Sequence, residues 1–127
     1  MFSHIMVGTN DVQKSKQFYD ATLGVLGVTP ADIDTERQRL FYRTDTGMFG
    51  VTKPIDGGPA SSANGATVGF SCKTPDEVEA WHAAGVANGG ATCEDPPGVR
   101  ELGPMKLYLA YLRDPDGNKL CALHFMN

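Results

Sequence analysis

The chain has 127 residues, of which 41% are hydrophobic and 20% charged, and its formal net charge is −4. This length favours one domain over residues 1–127, and the composition is typical of a globular protein with a buried core. The acidic balance and the lack of any Lys/Arg run argue against nucleic acid as a partner. No apolar stretch reaches the ~18 residues that a membrane span needs, so no membrane partner is expected.

The first quarter of the chain predicts a strand followed by a helix. Residues 2–7 mix apolar and β-prone types, and Asn10 or Asp11 can cap the helix that follows. Gly24 is expected to end this helix. One helical face collects Val12, Ser15, Phe18, Tyr19, Thr22 and Leu23.

A strand pair is expected next. The weakly patterned stretch 25–37 should hold a short strand and a loop. The segments LFYRT and MFGVTK then flank the turn formed by residues 44–47, and this turn places Leu40 opposite Val51. Residues 54–65, PIDGGPASSANG, have turn chemistry and predict a linker between a first module (about 1–53) and a second (about 66–127).

The second module repeats the order of the first at a constant offset of 63 residues, which matches Phe18 with Trp81 as core anchors. After a strand over 66–72, Thr74 should cap a helix that has Pro75 at its first position. A long polar loop covers 93–105, and the last hairpin turns in the sequence DPDGN. The two copies predict an α+β fold in which two paired βαβββ modules form a curved-sheet cleft, with the helices on the outer face.

Strand alternation sorts the side chains that should face this cleft. His4 and Met6 fall on the cleft side of the first strand, and Thr67 and Ser71 fall on the cleft side of its repeat. Hairpin pairing adds two phenols and a thiol, and the long loop adds an arginine as part of a lid or a dimer contact. The predicted ligand-binding residues are Met6, Tyr42, Thr67, Ser71, Tyr108, Cys121 and Arg100.

The chain has three cysteines, Cys72, Cys93 and Cys121, and no C-x-x-C motif. The odd count favours reduced thiols in a cytoplasmic protein. A reactive thiol at Cys93 or Cys121 is the alternative, and it would need an exposed, electropositive setting.

The segments SHIMVGTNDVQKSKQFYDATLG and YLRDPDGNKLCAL resemble the vicinal-oxygen-chelate superfamily. This superfamily includes glyoxalase I, bleomycin-resistance proteins, fosfomycin-resistance enzymes and extradiol dioxygenases. The resemblance covers nearly the whole chain. It implies paired βαβββ modules around an open cleft, and a homodimer.

The resemblance also implies where a divalent metal would bind, because metal-dependent members supply four ligands from equivalent strand positions. Those positions correspond here to His4, Val51, Thr67 and Cys121. Only His4 is a standard ligand, since Val51 has no donor atom, Thr67 is a poor ligand and Cys121 replaces a glutamate. The degenerate set favours a site without a cofactor, with a divalent metal as the alternative.

Two functions follow as hypotheses. The first is a small-molecule-binding protein of the bleomycin-resistance type that holds an aromatic or oxygenated ligand in the cleft. The second is a divergent metal-dependent lyase or dioxygenase in which His4 is catalytic or binds the metal. Glyoxalase I activity itself is disfavoured, because Val51 and Cys121 fill the carboxylate positions.

Overall fold

The computed structural model describes residues 1–127. Its first module has a three-stranded sheet in the order β1-β3-β2, with β1 parallel to β3 and β2 antiparallel to it. The elements are β1 (His4–Gly8), α1 (Val12–Val25), β2 (Arg39–Thr44) and β3 (Gly47–Thr52).

The second module has a five-stranded sheet in which β4, β8 and β7 are neighbours, and both β5 and β6 pair with β7. Its elements are β4 (Val68–Ser71), α2 (Pro75–Ala87), β5 (Ala91–Thr92), β6 (Gly98–Leu102), β7 (Met105–Arg113) and β8 (Lys119–Phe125). No helix is long and apolar enough to cross a membrane.

The predicted α+β class with two βαβββ-like modules is confirmed. The short strand expected within residues 25–37 is absent, and only an isolated bridge between Asp34 and Arg39 marks this region. The long loop expected over residues 93–105 instead contains β6 and the start of β7. β6 pairs antiparallel with the adjacent β7 across a tight turn at Gly103 and Pro104.

Both helices begin where the sequence predicts, and α1 buries the predicted face. The Asp11 carboxylate caps α1 by accepting hydrogen bonds from the backbone N–H groups of Gln13 and Lys14, and the Thr74 hydroxyl caps α2 by accepting from Glu77 N–H at 3.1 Å. The buried residues of α1 are the six predicted ones. The helix continues one residue past Gly24, so the predicted end was one position short.

One core serves both modules. Phe18 and Trp81 are both fully buried in a cluster of 16 residues that spans the two helices, the two sheets and the loop residues Ala31 and Cys72. Gly85 allows α2 to pack closely against β7 and α1. A Cβ atom at this position would lie 2.2 Å from Leu112 Cδ1 and 3.2 Å from Phe18 Cε2. Each sheet therefore has one face on this core and a second, uncovered face.

The DPDGN turn joins the modules as well as closing a hairpin. The Asp114 carboxylate accepts a hydrogen bond from the Tyr19 hydroxyl at 2.5 Å, and that of Asp116 accepts one from the Thr9 hydroxyl at 2.6 Å. Asn118 Nδ2 donates to Gly8 O at 2.9 Å. Burial raises the pKa of the Asp114 carboxyl group. Hydrogen bonds donated by Tyr19 and Asn118 act in the opposite direction and lower this pKa. The turn thereby fixes the strand-to-helix junction of the first module against the second.

Candidate functional site

A cavity of about 400 Å³ lies where the two modules meet, within the volume range of small-molecule sites. Its walls come from β1, β4, the C-terminal end of α1 and the β2–β3 hairpin, and 11 of its 17 lining residues are hydrophobic. Both β1 and β4 are edge strands of their sheets, so the cavity lies beside two unpaired strand edges. The central apolar lining residues are Ile5, Leu26, Phe49, Val68 and Phe70.

Polar groups are few in this cavity. His4 and Ser71 reach it from β1 and β4, and Thr44 and Thr46 reach it from the β2–β3 turn. His4 is exposed, and its Nδ1 lies 2.8 Å from the Ser3 hydroxyl. The site therefore offers a large apolar wall with one imidazole and several hydroxyl groups.

Tyr42 was predicted to point into the open cleft, and this orientation was wrong. Its side chain is 1% exposed and lies on the helix side, where its hydroxyl donates to Asp20 Oδ1 at 2.8 Å. Burial and the Asp20 carboxylate both raise the pKa of Tyr42 well above its ordinary value. Tyr42 nevertheless lines the cavity between the modules.

The predicted orientation of Tyr108 was also wrong, because the register of the last hairpin differs by one residue. Tyr108 lies opposite His124, and Cys121 lies opposite Tyr111, whereas pairing centred on residues 114–117 would place Tyr108 opposite Leu123 and Cys121 opposite Ala110. A slip of one residue exchanges the two faces of a strand. The Tyr108 hydroxyl therefore points to the helix side and donates to Glu79 Oε1 at 2.5 Å.

The family metal position assigned to Val51 was shifted by one residue. Val51 is fully buried on the helix side, opposite Val7 of β1, whereas Gly50 lies opposite Met6 on the face that carries His4. The equivalent pair in the second module is Gly69 with Cys121. Gly50 thus corresponds to Cys121, and neither Val51 nor Gly50 has a side-chain donor.

The residues present do not fit the divalent metal of metal-dependent relatives. No group of three or more His, Cys, Asp or Glu side chains is placed to hold an ion. Burial raises the pKa of the Cys121 thiol to about 11, so this group is protonated at neutral pH in the absence of a metal. Thr67 is exposed and lies just before β4.

The structure divides the remaining predicted site residues between two places. Ser71 and His4 line the cavity, whereas Cys121 and Arg100 lie on the uncovered face of the second sheet. Met6 covers Gly50 on the uncovered face of the first sheet. Sequence reasoning missed Phe49 and Phe70 as cavity walls because their exposure depends on how the two modules meet.

Comparisons with known proteins agree with this architecture. Residues 1–122 match the family model described as Glyoxalase/Bleomycin resistance protein/Dioxygenase superfamily. The chain belongs to the glyoxalase/bleomycin resistance/dioxygenase superfamily. No protein of curated function matches the chain.

Solved structures with the same fold cover nearly the whole chain. A glyoxalase/bleomycin resistance protein from Albidiferax ferrireducens T118 is 59% identical, with a TM-score of 0.93 and 98% of each chain covered. A glyoxalase-related enzyme from Fulvimarina pelagi is 18% identical, with a TM-score of 0.71, and the match covers 98% of this chain and 87% of that one. A glyoxalase/bleomycin resistance protein/dioxygenase family enzyme from Burkholderia phytofirmans PsJN is also 18% identical, with a TM-score of 0.71 and 98% of each chain covered. The two distant relatives share the fold alone.

Proposed function

We propose that this protein binds a small aromatic or oxygenated molecule in the cavity between its modules, without a metal cofactor. The observation that carries this proposal is the cavity itself, about 400 Å³ in volume and mostly apolar, with His4 and Ser71 as convergent polar groups. A ligand with one flat apolar body and one or two oxygen atoms would bury its ring against Phe49 and Phe70. The aromatic walls are already in place, since Phe49 and Phe70 pack edge to face at 5.3 Å.

Blocking the cavity tests this proposal. Ile5 lines the cavity and is 36% exposed, so Ile5→Trp adds bulk where the fold can accept it. Val99→Trp is the matched control, because Val99 is a similarly exposed strand residue outside the cavity lining. With 1-naphthol as the probe in calorimetric titration, Ile5→Trp should weaken binding at least tenfold and Val99→Trp should leave it unchanged. Equal affinity in all three proteins would contradict binding in the cavity.

The alternative is an enzyme, a divergent lyase or dioxygenase, and His4 is the observation that favours it. The imidazole lines the cavity, and its Nδ1 is oriented by the Ser3 hydroxyl. In such an enzyme His4 would hold or transfer a proton at a ligand oxygen, or would provide one metal ligand. Metal content by mass spectrometry of unchelated protein separates the two functions. Near-stoichiometric metal that disappears in His4→Ala would favour the enzyme, and no metal in either protein would favour the binding protein.

We also propose that the chain is a homodimer in the cytoplasm. Several large apolar side chains on the sheets and at the chain ends are exposed, including Phe2 at 66%, Leu102 at 62% and Phe125 at 59%. A second copy would remove this apolar surface from water. The three free cysteines fit a reducing compartment. Light scattering after size exclusion should give twice the 13.6 kDa chain mass, and a single-chain mass would contradict the dimer.

A further inference from the structure

The tripeptide Ala-Asn-Gly occurs twice in the chain, at residues 63–65 and at residues 87–89. An asparagine that precedes glycine is prone to attack on its own side-chain amide, because glycine has no Cβ atom to hinder the approach of its backbone nitrogen. The two copies have the same residue types in the same order, so their local chemistry is matched in the unfolded chain. A difference in reactivity between them in the native protein would therefore come from the fold.

Asn64 lies in the linker between the modules, where its side chain is not held. Residues 61–67 are all exposed, and the Asn64 amide group makes no hydrogen bond to another residue. The turn around it is closed by a backbone hydrogen bond from Ala66 N to Ala63 O at 3.2 Å. Gly65 has a φ of 97°, and no atom lies within 4 Å of the position that its Cβ would take. The Asn64 amide carbon and the Gly65 nitrogen are therefore free to rotate toward each other.

Asn88, in contrast, is held at the C-terminal end of α2, where it is half-buried. Its Nδ2 donates to Ala84 O at 2.8 Å, and its Oδ1 accepts a hydrogen bond from Gln17 Nε2 at 3.5 Å. The main chain on both sides is fixed as well, since the N–H groups of Asn88 and Gly90 both donate to Gly85 O. Attack on the Asn88 amide therefore requires the end of the helix to open first.

We propose that Asn64 is a self-modification site, which the native protein converts to a mixture of aspartate and isoaspartate while Asn88 remains asparagine. In the first step the Gly65 nitrogen loses its proton to solvent base and attacks the Asn64 Cγ atom. An N–Cγ bond forms, the Cγ–Nδ2 bond breaks, and the Nδ2 group leaves as ammonia with a proton from water. The product is a cyclic succinimide, and water then opens the ring at either carbonyl. The net reaction consumes water, releases ammonium and needs neither a cofactor nor an oxidant.

The product differs from asparagine in charge and, in isoaspartate, in the length of the main chain. The protein becomes more negative than its present formal charge of −4 by the charge of a single carboxylate. Isoaspartate also adds a methylene group to the main chain between β4 and Ala60, whose N–H donates to Asn10 Oδ1 at 2.7 Å. The exposed residues 61–67 can absorb this extra length, so the fold should survive the modification. None of them lines the cavity, and the proposal does not depend on the cavity ligand.

Peptide mapping by mass spectrometry, after incubation at mildly alkaline pH, tests the proposal. In the native protein the exchange of amide for carboxylate should accumulate at Asn64 roughly tenfold faster than at Asn88, the rate factor for a hydrogen bond that must first break. In guanidinium chloride, which unfolds the chain, the two tripeptides should react at similar rates. Equal rates in the native protein, or a faster rate at Asn88, would overturn the proposal.

Two matched variants give a second readout on the intact protein. Anion-exchange chromatography of the incubated protein should resolve a more acidic species that grows with time. Asn64→Gln should remove this species, because glutamine would have to close a larger ring and reacts far more slowly. Asn88→Gln is the matched control, in which the acidic species should accumulate as in the protein without a substitution. Persistence of the acidic species in Asn64→Gln would overturn the site, and so would its loss in Asn88→Gln.

Discussion

The Met6 thioether lies directly over Gly50: a Cβ atom at Gly50 would come within 2.2 Å of Met6 Sδ and 3.0 Å of Phe41 Cε1. Gly50 occupies the first-module position that matches Cys121, where metal-dependent relatives carry a ligand. In this chain the space is filled by a flexible apolar side chain. The apolar side chain of Met6 therefore occupies the space where a metal ligand would lie in the first module. The strands of this sheet contain no His, Cys, Asp or Glu other than His4.

Gly50→Ala tests this contact. Met6 must move to make room, so we expect a loss of about 1 kcal/mol in the free energy of unfolding. In the double variant with Met6→Ala the methyl group has space, and the cost of Gly50→Ala should largely vanish. Urea denaturation of the four proteins measures this coupling. Strictly additive effects would show that Met6 does not cover Gly50.

Replacement of two helix glycines by alanine should change the stability of the protein in opposite directions, because Gly85 lies close to Leu112 and Gly24 has no such neighbour. Gly85→Ala places a methyl group 2.2 Å from Leu112 Cδ1, so we expect a destabilisation of about 2–3 kcal/mol despite alanine's better helix propensity. Gly24→Ala in α1 meets no atom within 4 Å, and it should stabilise the protein by roughly 0.5–1 kcal/mol. Thermal melts of the two variants measure the sign of each change in stability. A neutral Gly85→Ala would mean that α2 does not approach β7 this closely.

Removal of the Tyr19 hydroxyl should weaken the contact between the modules. Tyr19→Phe leaves Asp114 buried with one donor fewer, which costs about 1–3 kcal/mol. Tyr111→Phe is the matched control, because Tyr111 lies on the uncovered face of the second sheet and takes no part in the hydrogen bonds of Asp114. Chemical denaturation should therefore separate the two Tyr→Phe variants. Equal stability would contradict a structural role for the Tyr19–Asp114 hydrogen bond.

The buried thiols predict that stability falls at alkaline pH. Burial raises the pKa of Cys72 and Cys121 to about 11, whereas an unfolded cysteine titrates near ~8.5. Between these two pKa values the native state binds more protons than the unfolded state. The thiols therefore contribute their full share to the free energy of unfolding below about pH 8.5, and this contribution is lost as pH rises through about 11. Each thiol contributes at most about 3 kcal/mol to this decline. Replacing both cysteines with alanine should flatten the pH dependence of the denaturation midpoint over this range, and an unchanged slope would contradict the assignment.

Features set by helix periodicity or a short turn were predictable, whereas features set by pairing between distant strands or by the register of a longer hairpin connection were not. The face of α1, the Thr74 cap and the pairing of Leu40 with Val51 all follow from helix periodicity or a short turn. Val51 was placed on the wrong face because its orientation is set by parallel pairing with β1, which is over 40 residues away. Tyr108 was misplaced because the five-residue DPDGN connection shifts the register by one, and Arg113 pairs with Lys119.

Two-dimensional NMR of labelled protein, titrated with 1-naphthol in the presence of EDTA, tests most directly whether the cavity between the modules binds an aromatic ligand without metal. We expect saturable shifts in the backbone amide signals of Ile5, Phe49 and Phe70, with little change on β6 and β7. Shifts that require added divalent metal, or that fall only outside the cavity lining, would contradict the claim.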